Sequence, residues 1–219
     1  MKAMILAAGR GERMRPLTDH LPKPLLEVRG KPLILWHIEK LARNGFKEIV
    51  INIAHLGHKI PDCLGDGSRY GVRLLYSDEQ ESGALESAGG IKKALPLLGD
   101  EPFLVVNGDV FCDYEFDANF SLAGKKAHLI LVPNPPHNPK GDFGLKDTLV
   151  LNSDETMYTF SGIGYYDPAF FSTMELQKSA LAPHLRKSIE EKAISGAVFN
   201  KMWHDIGTQE RLREINDAN

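Results

Sequence analysis

Apolar residues along the chain fall into short blocks whose spacing changes from block to block. Ala3–Ala7 (AMILA) is a compact apolar run that ends in a glycine-containing turn, which predicts a strand buried on both faces, as in a parallel sheet. Pro32 then opens a different period. Ile34, Ile38, Leu41 and Ala42 recur at helical spacing, and Asn44-Gly45 supplies the stop. Glu48–Ile53 (EIVINI) returns to a strand pattern rich in β-branched residues. His55–Leu64 predicts a short helix closed by GDGSRYG, Val72–Tyr76 a third strand and Ser87–Leu95 another helix. Phe103–Val106 (FLVV) is a fourth strand that runs into Asn107-Gly108-Asp109. The resulting β-α-β-α-β-α-β order predicts an α/β fold with a mostly parallel sheet and right-handed crossovers. In such sheets ligands gather at the carboxyl ends of strands. The turn after the first strand and Asp109 after the fourth both lie there.

The second half reads differently. Ala127–Val132 is a strand, followed by PNPPHNPKGDFG, a stretch whose Pro, Asn and Gly content predicts a loop. Such a loop is either a plain connection or a lid. Leu145–Leu151 and Met157–Tyr166 are strands, the first suited to a hairpin. Ala182–Glu191 is a helix with Pro183 in its first turn, Ala197–Trp203 a last strand and Thr208–Ile215 a closing helix. There is no internal repeat, and in particular no hexapeptide repeat of the β-helix type.

Composition narrows the function classes. At 219 residues and 42% hydrophobic, the chain has the size of one ordinary domain or two small ones. The 26 basic and 29 acidic residues give a net charge of -3, so global charge offers no footprint for nucleic acid or an anionic membrane. No apolar run approaches a membrane span, and the apolar start of MKAMILAAGRGERMRPLT is too short for a signal-peptide core. Cys63 and Cys112 stand in no CxxC pattern, which argues against a disulfide framework or a zinc cluster. A reducing cytoplasm is the expected address.

Four segments carry candidate chemistry. Leu6–Thr18 (LAAGRGERMRPLT) follows a strand. Its glycines and alanines let backbone N–H groups approach a phosphate, and Arg13 and Arg15 add charge suited to it. It is neither a P-loop nor a completed G-x-G-x-x-G, because Met14 stands where the third glycine belongs. In Leu21–Leu25 (LPKPL) two prolines stiffen the backbone around Lys23. In VVNGDV, Asp109 just past a buried strand suits Mg²⁺, or is a simple turn residue. In WHDIGT, Asp205 is either a second carboxylate for the same ion or the cap of the helix that follows. Trp203, Phe160, Tyr165 and Tyr166 fit either a stacking surface or the core. His55 and His58 are spaced for a metal but have no third ligand in view.

Taken together, LAAGRGERMRPLT, PKPLLEV, VNGDV, FSGIGYY (Phe160–Tyr166) and WHDIGT resemble the sugar-1-phosphate nucleotidyltransferases across nearly the whole chain. The resemblance implies a single domain spanning residues 1–219, with no appended module. Its fold would be a Rossmann-like α/β/α sandwich with β additions around the sugar site. It also implies a reaction: nucleoside triphosphate plus sugar 1-phosphate gives nucleotide sugar plus pyrophosphate, assisted by Mg²⁺. Residue by residue, Ala8, Gly9, Gly11, Glu12 and Arg13 would hold the triphosphate, with Arg13 neutralising the leaving pyrophosphate. Lys23 would meet the α-phosphate. Glu79 and Gly89 would be further nucleotide contacts, Asn107 and Gly141 would lie against the sugar, and Asp109 and Asp205 would share the metal. LESAGGIKKALPLLGD, the GDF at Gly141–Phe143 and YTFSGI at Tyr158–Ile163 favour the branch that uses UTP and N-acetylmuramate 1-phosphate in cell-wall sugar recycling. Other members act on another sugar phosphate or on phosphocholine with CTP, dTTP or GTP, and a non-catalytic regulatory homologue is the alternative from a different class. The Glu-Lys-Pro sugar motif of many relatives is absent, and GDFGLKDTLVLNSDE occupies its place.

Overall fold

A computed structural model describes residues 1–218. In chain order its strands and helices are β1 (Lys2–Leu6), β2 (Glu27–Val28), β3 (Lys31–Pro32), α1 (Leu33–Arg43), β4 (Glu48–Ile53), α2 (Lys59–Leu64), β5 (Arg73–Asp78), α3 (Glu86–Leu98), β6 (Phe103–Asn107) and β7 (Val110–Cys112). They continue with β8 (Ala127–Val132), β9 (Phe143–Lys146), β10 (Leu149–Leu151), β11 (Met157–Tyr166), α4 (Ala169–Ser172), α5 (Leu181–Glu190), β12 (Ile194–Val198), β13 (Trp203–Asp205) and α6 (Gln209–Asp217).

One nine-stranded sheet, in the order β5-β4-β1-β6-β11-β8-β12-β10-β9, forms the centre. The expected parallel core is its first part: β5, β4, β1 and β6 all run the same way. Beyond β6 the sheet becomes mixed. β11 runs antiparallel to both β6 and β8, β12 runs parallel to β8, and the β9–β10 hairpin closes the far edge. The chain moves outward from β1 to β4 and β5, then crosses to β6 on the other side of β1. That reversal opens a crevice at the carboxyl end of β1.

The unbroken apolar run of β1 follows from burial on both faces. Ala3 and Ile5 pack with Ile34, Ile38 and Leu41 of α1 and with Ile60 and Leu64 of α2. Met4 faces the opposite way, against Ile91, Ala94 and Leu98 of α3. A third, smaller cluster joins Met14, Phe111 and Ile206 to Leu212 and Ile215 of α6, so the last helix covers the turn that follows β1.

Several boundaries differ from the periodicity. The expected last strand, Ala197–Trp203, is two strands: β12 lies beside β8, whereas β13 pairs with β7 in a separate ribbon. His55–His58 form a turn, and the helix begins only at Lys59. Phe143 and Gly144, read as loop, open β9. The short pieces β2, β3, β7 and α4 are below the length at which periodicity speaks. Tyr165 and Tyr166 are fully buried core residues.

Candidate active site

The turn after β1 is shaped by Gly11, which sits in the left-handed region at φ 64°. A Cβ there would lie 2.8 Å from Thr18 Cγ2 and 3.2 Å from Cβ of Lys23. The Gly11 carbonyl accepts from the Met14 backbone N–H and from the Thr18 hydroxyl, each at 2.8 Å. Met14 is fully buried, whereas Glu12 and Arg13 are exposed. One methionine driven under α6 thus holds the turn with its polar residues outward.

This turn borders a cleft of about 440 Å³. Ala8, Gly9, Gly11, Glu12, Arg13 and Lys23 line it on one side, Asn107, Gly108 and Asp109 at the end of β6, and Ala84, Glu86 and Ser87 at the start of α3. A second cavity of about 240 Å³ shares Arg13, Asn107 and Asp109 with the first, and adds His137, Asn138, Asp142, Phe160, Trp203 and Asp205. The two compartments meet at Arg13, Asn107 and Asp109.

Lys23 lies at that junction. Pro22 holds the backbone extended and Pro24 follows inside a one-turn helix, so the lysine stem has a fixed origin. Its ammonium donates to Asp109 Oδ2 at 2.6 Å, and its side chain is only 12% exposed.

Asp109, at the middle of the sequence, and Asp205, near its carboxyl end, meet through the β7–β13 ribbon. Asp205 stands opposite Val110 in the register, and the Ile206 N–H donates to the Asp109 carbonyl at 2.8 Å. Asp205 Oδ2 accepts from Arg211 Nη1 at 2.8 Å and lies 3.3 Å from His137 Nε2. Its other oxygen, Oδ1, is buried without a hydrogen-bond partner. A buried acceptor left in this way is costly unless something else satisfies it. Among the described residues no group of three or more His, Cys, Asp or Glu gathers for a metal, here or elsewhere, so any ion at this site would rest on the two carboxylates. The cap of α6 is Thr208, not Asp205. Beneath Asp109, His37 is 4% exposed; burial first, then the nearby Lys40 charge, lower its imidazole to about 4.

The second cavity is braced by the loop before β9. Asp142 Oδ2 accepts from the Phe160 N–H at 2.8 Å, and Asn138 Nδ2 donates to Asp142 Oδ1 and to the Thr159 hydroxyl, both at 3.1 Å. β11 bulges between Phe160 and Ile163. Gly162, at φ 78° inside that bulge, lets Asn107 approach so closely that a Cβ would sit 2.6 Å from its Nδ2.

Three residues expected at the ligand stand elsewhere. Glu79 is fully buried and accepts from Asn52 Nδ2 and from the Leu85 N–H, each at 2.8 Å, so it does not reach the cleft. Gly89 is buried inside α3, where a Cβ would press to 2.3 Å on the Gln177 carbonyl oxygen; its smallness serves packing. Gly141 is a turn residue at φ 68°, close to Asn134 and the Tyr158 carbonyl, and it delivers Asp142 in its place. Arg15 likewise turns away, pairing with Asp19 at 2.6 Å.

Sequence reading missed Asn52, Ser87, His137, Asn138 and Asp142 as lining residues, and Arg211 behind Asp205. Asn52 did leave a signal: it is the one polar residue among the last five of EIVINI, in a strand otherwise buried and apolar. Arg211 left none.

A polar crevice at a topological switch point, with a glycine-shaped turn, the cationic side chains of Arg13 and of Lys23 (the latter paired with Asp109) and a second carboxylate at Asp205, defines an α/β protein suited to handling phosphates. Comparison with known proteins carries this to a family. The nucleotidyl transferase family model matches residues 2–219, and the chain belongs to that family. It is 56% identical, over 98% of its own length and 96% of the relative's, to an N-acetylmuramate alpha-1-phosphate uridylyltransferase of Neisseria meningitidis serogroup B. It is 38% identical over 94% of its length to the catalytic subunit beta of mannose-1-phosphate guanylyltransferase of Danio rerio, of which it spans 61%. In fold it is similar to a proposed glucose-1-phosphate thymidylyltransferase from Bacillus anthracis, with a TM-score of 0.87 at 21% identity, covering 99% of this chain and 94% of that one. No helix among the described residues is long and apolar enough to cross a membrane.

Proposed function

We propose that the chain transfers a uridylyl group from UTP to N-acetylmuramate 1-phosphate, releasing pyrophosphate. The observation that carries this reading is the pair of adjoining compartments joined at Arg13, Asn107 and Asp109, which suits a nucleotide on one side and a sugar phosphate on the other. The 56% identity to the meningococcal uridylyltransferase supports the choice of base and sugar. A cytoplasmic role in recycling cell-wall amino sugars fits those substrates.

The chemical difficulty is electrostatic. The sugar phosphate is already a competent nucleophile, but it must approach another anion. Two like charges at 4 Å repel by about 1 kcal/mol in water and by about 4 kcal/mol near a protein surface. Lys23 and Arg13 offset this repulsion. Lys23, anchored by Asp109 at the junction, is placed to follow charge at the α-phosphate, and Arg13 to meet the departing pyrophosphate. In-line attack then needs no covalent enzyme intermediate.

Asp109 and Asp205 fit a divalent cation such as Mg²⁺, which takes one or two carboxylates and completes its shell with phosphates and water. The unpartnered buried Oδ1 of Asp205 supports this fit. When bound there, the ion supplies positive charge to phosphate oxygens.

The deciding experiment is a thermal-shift screen of the five common nucleoside triphosphates with Mg²⁺, followed by pyrophosphate release with a panel of sugar 1-phosphates. A ligand that binds only the native state at 100 times its Kd stabilises by about 2.7 kcal/mol, an easily read shift. UTP and N-acetylmuramate 1-phosphate should stand out in both assays. Preference for GTP and mannose 1-phosphate would move the chain to the guanylyltransferase branch, and no release with any pair would make it a binding protein.

A further inference from the structure

A buried relay ties the two walls of the nucleotide cleft together. Asn52, at the carboxyl end of β4 and 3% exposed, accepts from the Ala7 N–H through Oδ1 at 2.7 Å. Through Nδ2 it donates to Glu79 Oε1 at 2.8 Å. Glu79 Oε2 accepts from the N–H of Leu85 at 2.8 Å, at the threshold of α3. Gly90 leaves room for the pair: a Cβ there would lie 2.7 Å from Glu79 Oε1 and 2.9 Å from Asn52 Nδ2. One end of this chain is the residue that starts the phosphate-facing turn. The other end fixes the segment that carries Ala84, Glu86 and Ser87 into the cleft.

We propose that Glu79 is a positioning residue that sets the distance between the two walls of the nucleotide cleft, acting through Asn52 and Leu85 without touching the ligand. The donor and acceptor pattern makes the assignment specific. Both groups that face Glu79 are donors, so both carboxylate oxygens must accept. A fully buried carboxylate held by two donors is also an expensive element to keep merely for packing. In the Glu79→Gln variant, one amide face must present N–H to a donor. If Asn52 flips to accommodate it, the mismatch moves to the Ala7 N–H. Either way the defect ends at a wall of the cleft. Adding Asn52→Asp repairs the pattern: the aspartate accepts from Ala7 and from the glutamine amide, and the glutamine oxygen accepts from Leu85.

The test is hydrogen exchange on the whole ligand-free chain, with nucleotide kinetics beside it. Relative to wild type, Glu79→Gln should speed exchange together in the peptides covering residues 6–13 and 80–87, and Asn52→Asp with Glu79→Gln should slow both again. Faster exchange in only one segment, or none in either, overturns the relay. If Glu79→Gln does not fold, the double variant must; failure of both to fold also overturns it. The kinetic arm rests on the uridylyltransferase reading. Glu79→Gln should raise the nucleotide KM about tenfold, the size of one mismatched buried hydrogen bond, with kcat within about threefold. An unchanged KM beside altered exchange overturns the positioning role. A wild-type chain that turns over no nucleotide overturns the functional reading and leaves the exchange result standing.

Discussion

Lys23 Nζ and Asp109 Oδ2 lie 2.6 Å apart, although 86 residues of chain separate them. The contact joins the proline-stiffened segment to the end of β6, and it places a cation and a carboxylate at the junction of the two compartments. A lysine held in this way is poised to exchange its partner for a phosphate without a search through its rotamers, which is how a fixed charge favours a transition state over a ground state.

Lys23→Ala should therefore lower kcat by about 100-fold or more while the nucleotide KM changes by less than about fivefold. Steady-state kinetics with pyrophosphate release reads both. A raised KM with intact kcat would reduce Lys23 to a ground-state contact.

Asp109→Asn and Asp205→Asn should each remove most turnover, by about 100-fold or more, with the far-ultraviolet circular dichroism unchanged. In Asp205→Asn the Arg211 contact loses its charge partner, so a small fall in melting temperature accompanies the loss. Near-wild-type kcat at ordinary Mg²⁺ in either variant removes that residue from the metal assignment.

Gly11→Ala strains a left-handed backbone and drives a methyl group toward Thr18 and Lys23. A cost of about 1–3 kcal/mol follows from the backbone alone. Because the displaced neighbour is Lys23, kcat should fall as well. For stability, Gly9→Ala is the control: a Cβ there meets no protein atom within 4 Å. If both variants lose the same stability, the turn is not the constraint described.

Asp142→Ala cuts the tie between the loop and β11 that shapes the second cavity. The KM for sugar 1-phosphate should rise about tenfold while that for the nucleotide stays within about twofold. An equal rise in both would mean that the compartments do not divide the substrates.

His37 gives the pH dependence a sign. Its native imidazole is lowered to about 4 from the ordinary 6.5, chiefly by burial and then by Lys40. Between those values the unfolded chain binds a proton that the native ring refuses, so stability falls as pH drops from about 6.5 toward 4 and is complete above that window. The expected loss between pH 7 and pH 4.5 is about 2 kcal/mol, measured as the shift of the urea midpoint. His37→Leu should flatten this dependence; an unchanged slope would place the sensitivity in other groups. His128 shifts in the same direction for the same reason, burial, and contributes in the same sense.

The sequence by itself determined the strands and helices whose period is unambiguous. Glu48–Ile53, Ala127–Val132 and Met157–Tyr166 coincide with β4, β8 and β11 because β-branched and apolar runs of that length have few other uses. It also determined which segments carry chemistry, since a glycine-rich turn after a buried strand and a carboxylate at a strand end are local patterns. The family resemblance then named the activity. Tertiary structure alone decided which of those residues meet. Glu79 and Asn52 differ in sequence position by 27, and only the β5-β4-β1 order puts the carboxylate of one against the amide of the other and the second against Ala7. Asp205 stands beside Asp109 because β13 leaves the main sheet to pair with β7, a choice hidden inside what reads as one strand. Periodicity records how each residue faces the core. It does not record which strand becomes the neighbour, and the hydrogen bonds from Asn52 to Ala7 and Glu79 that join the walls of this cleft cross between neighbours.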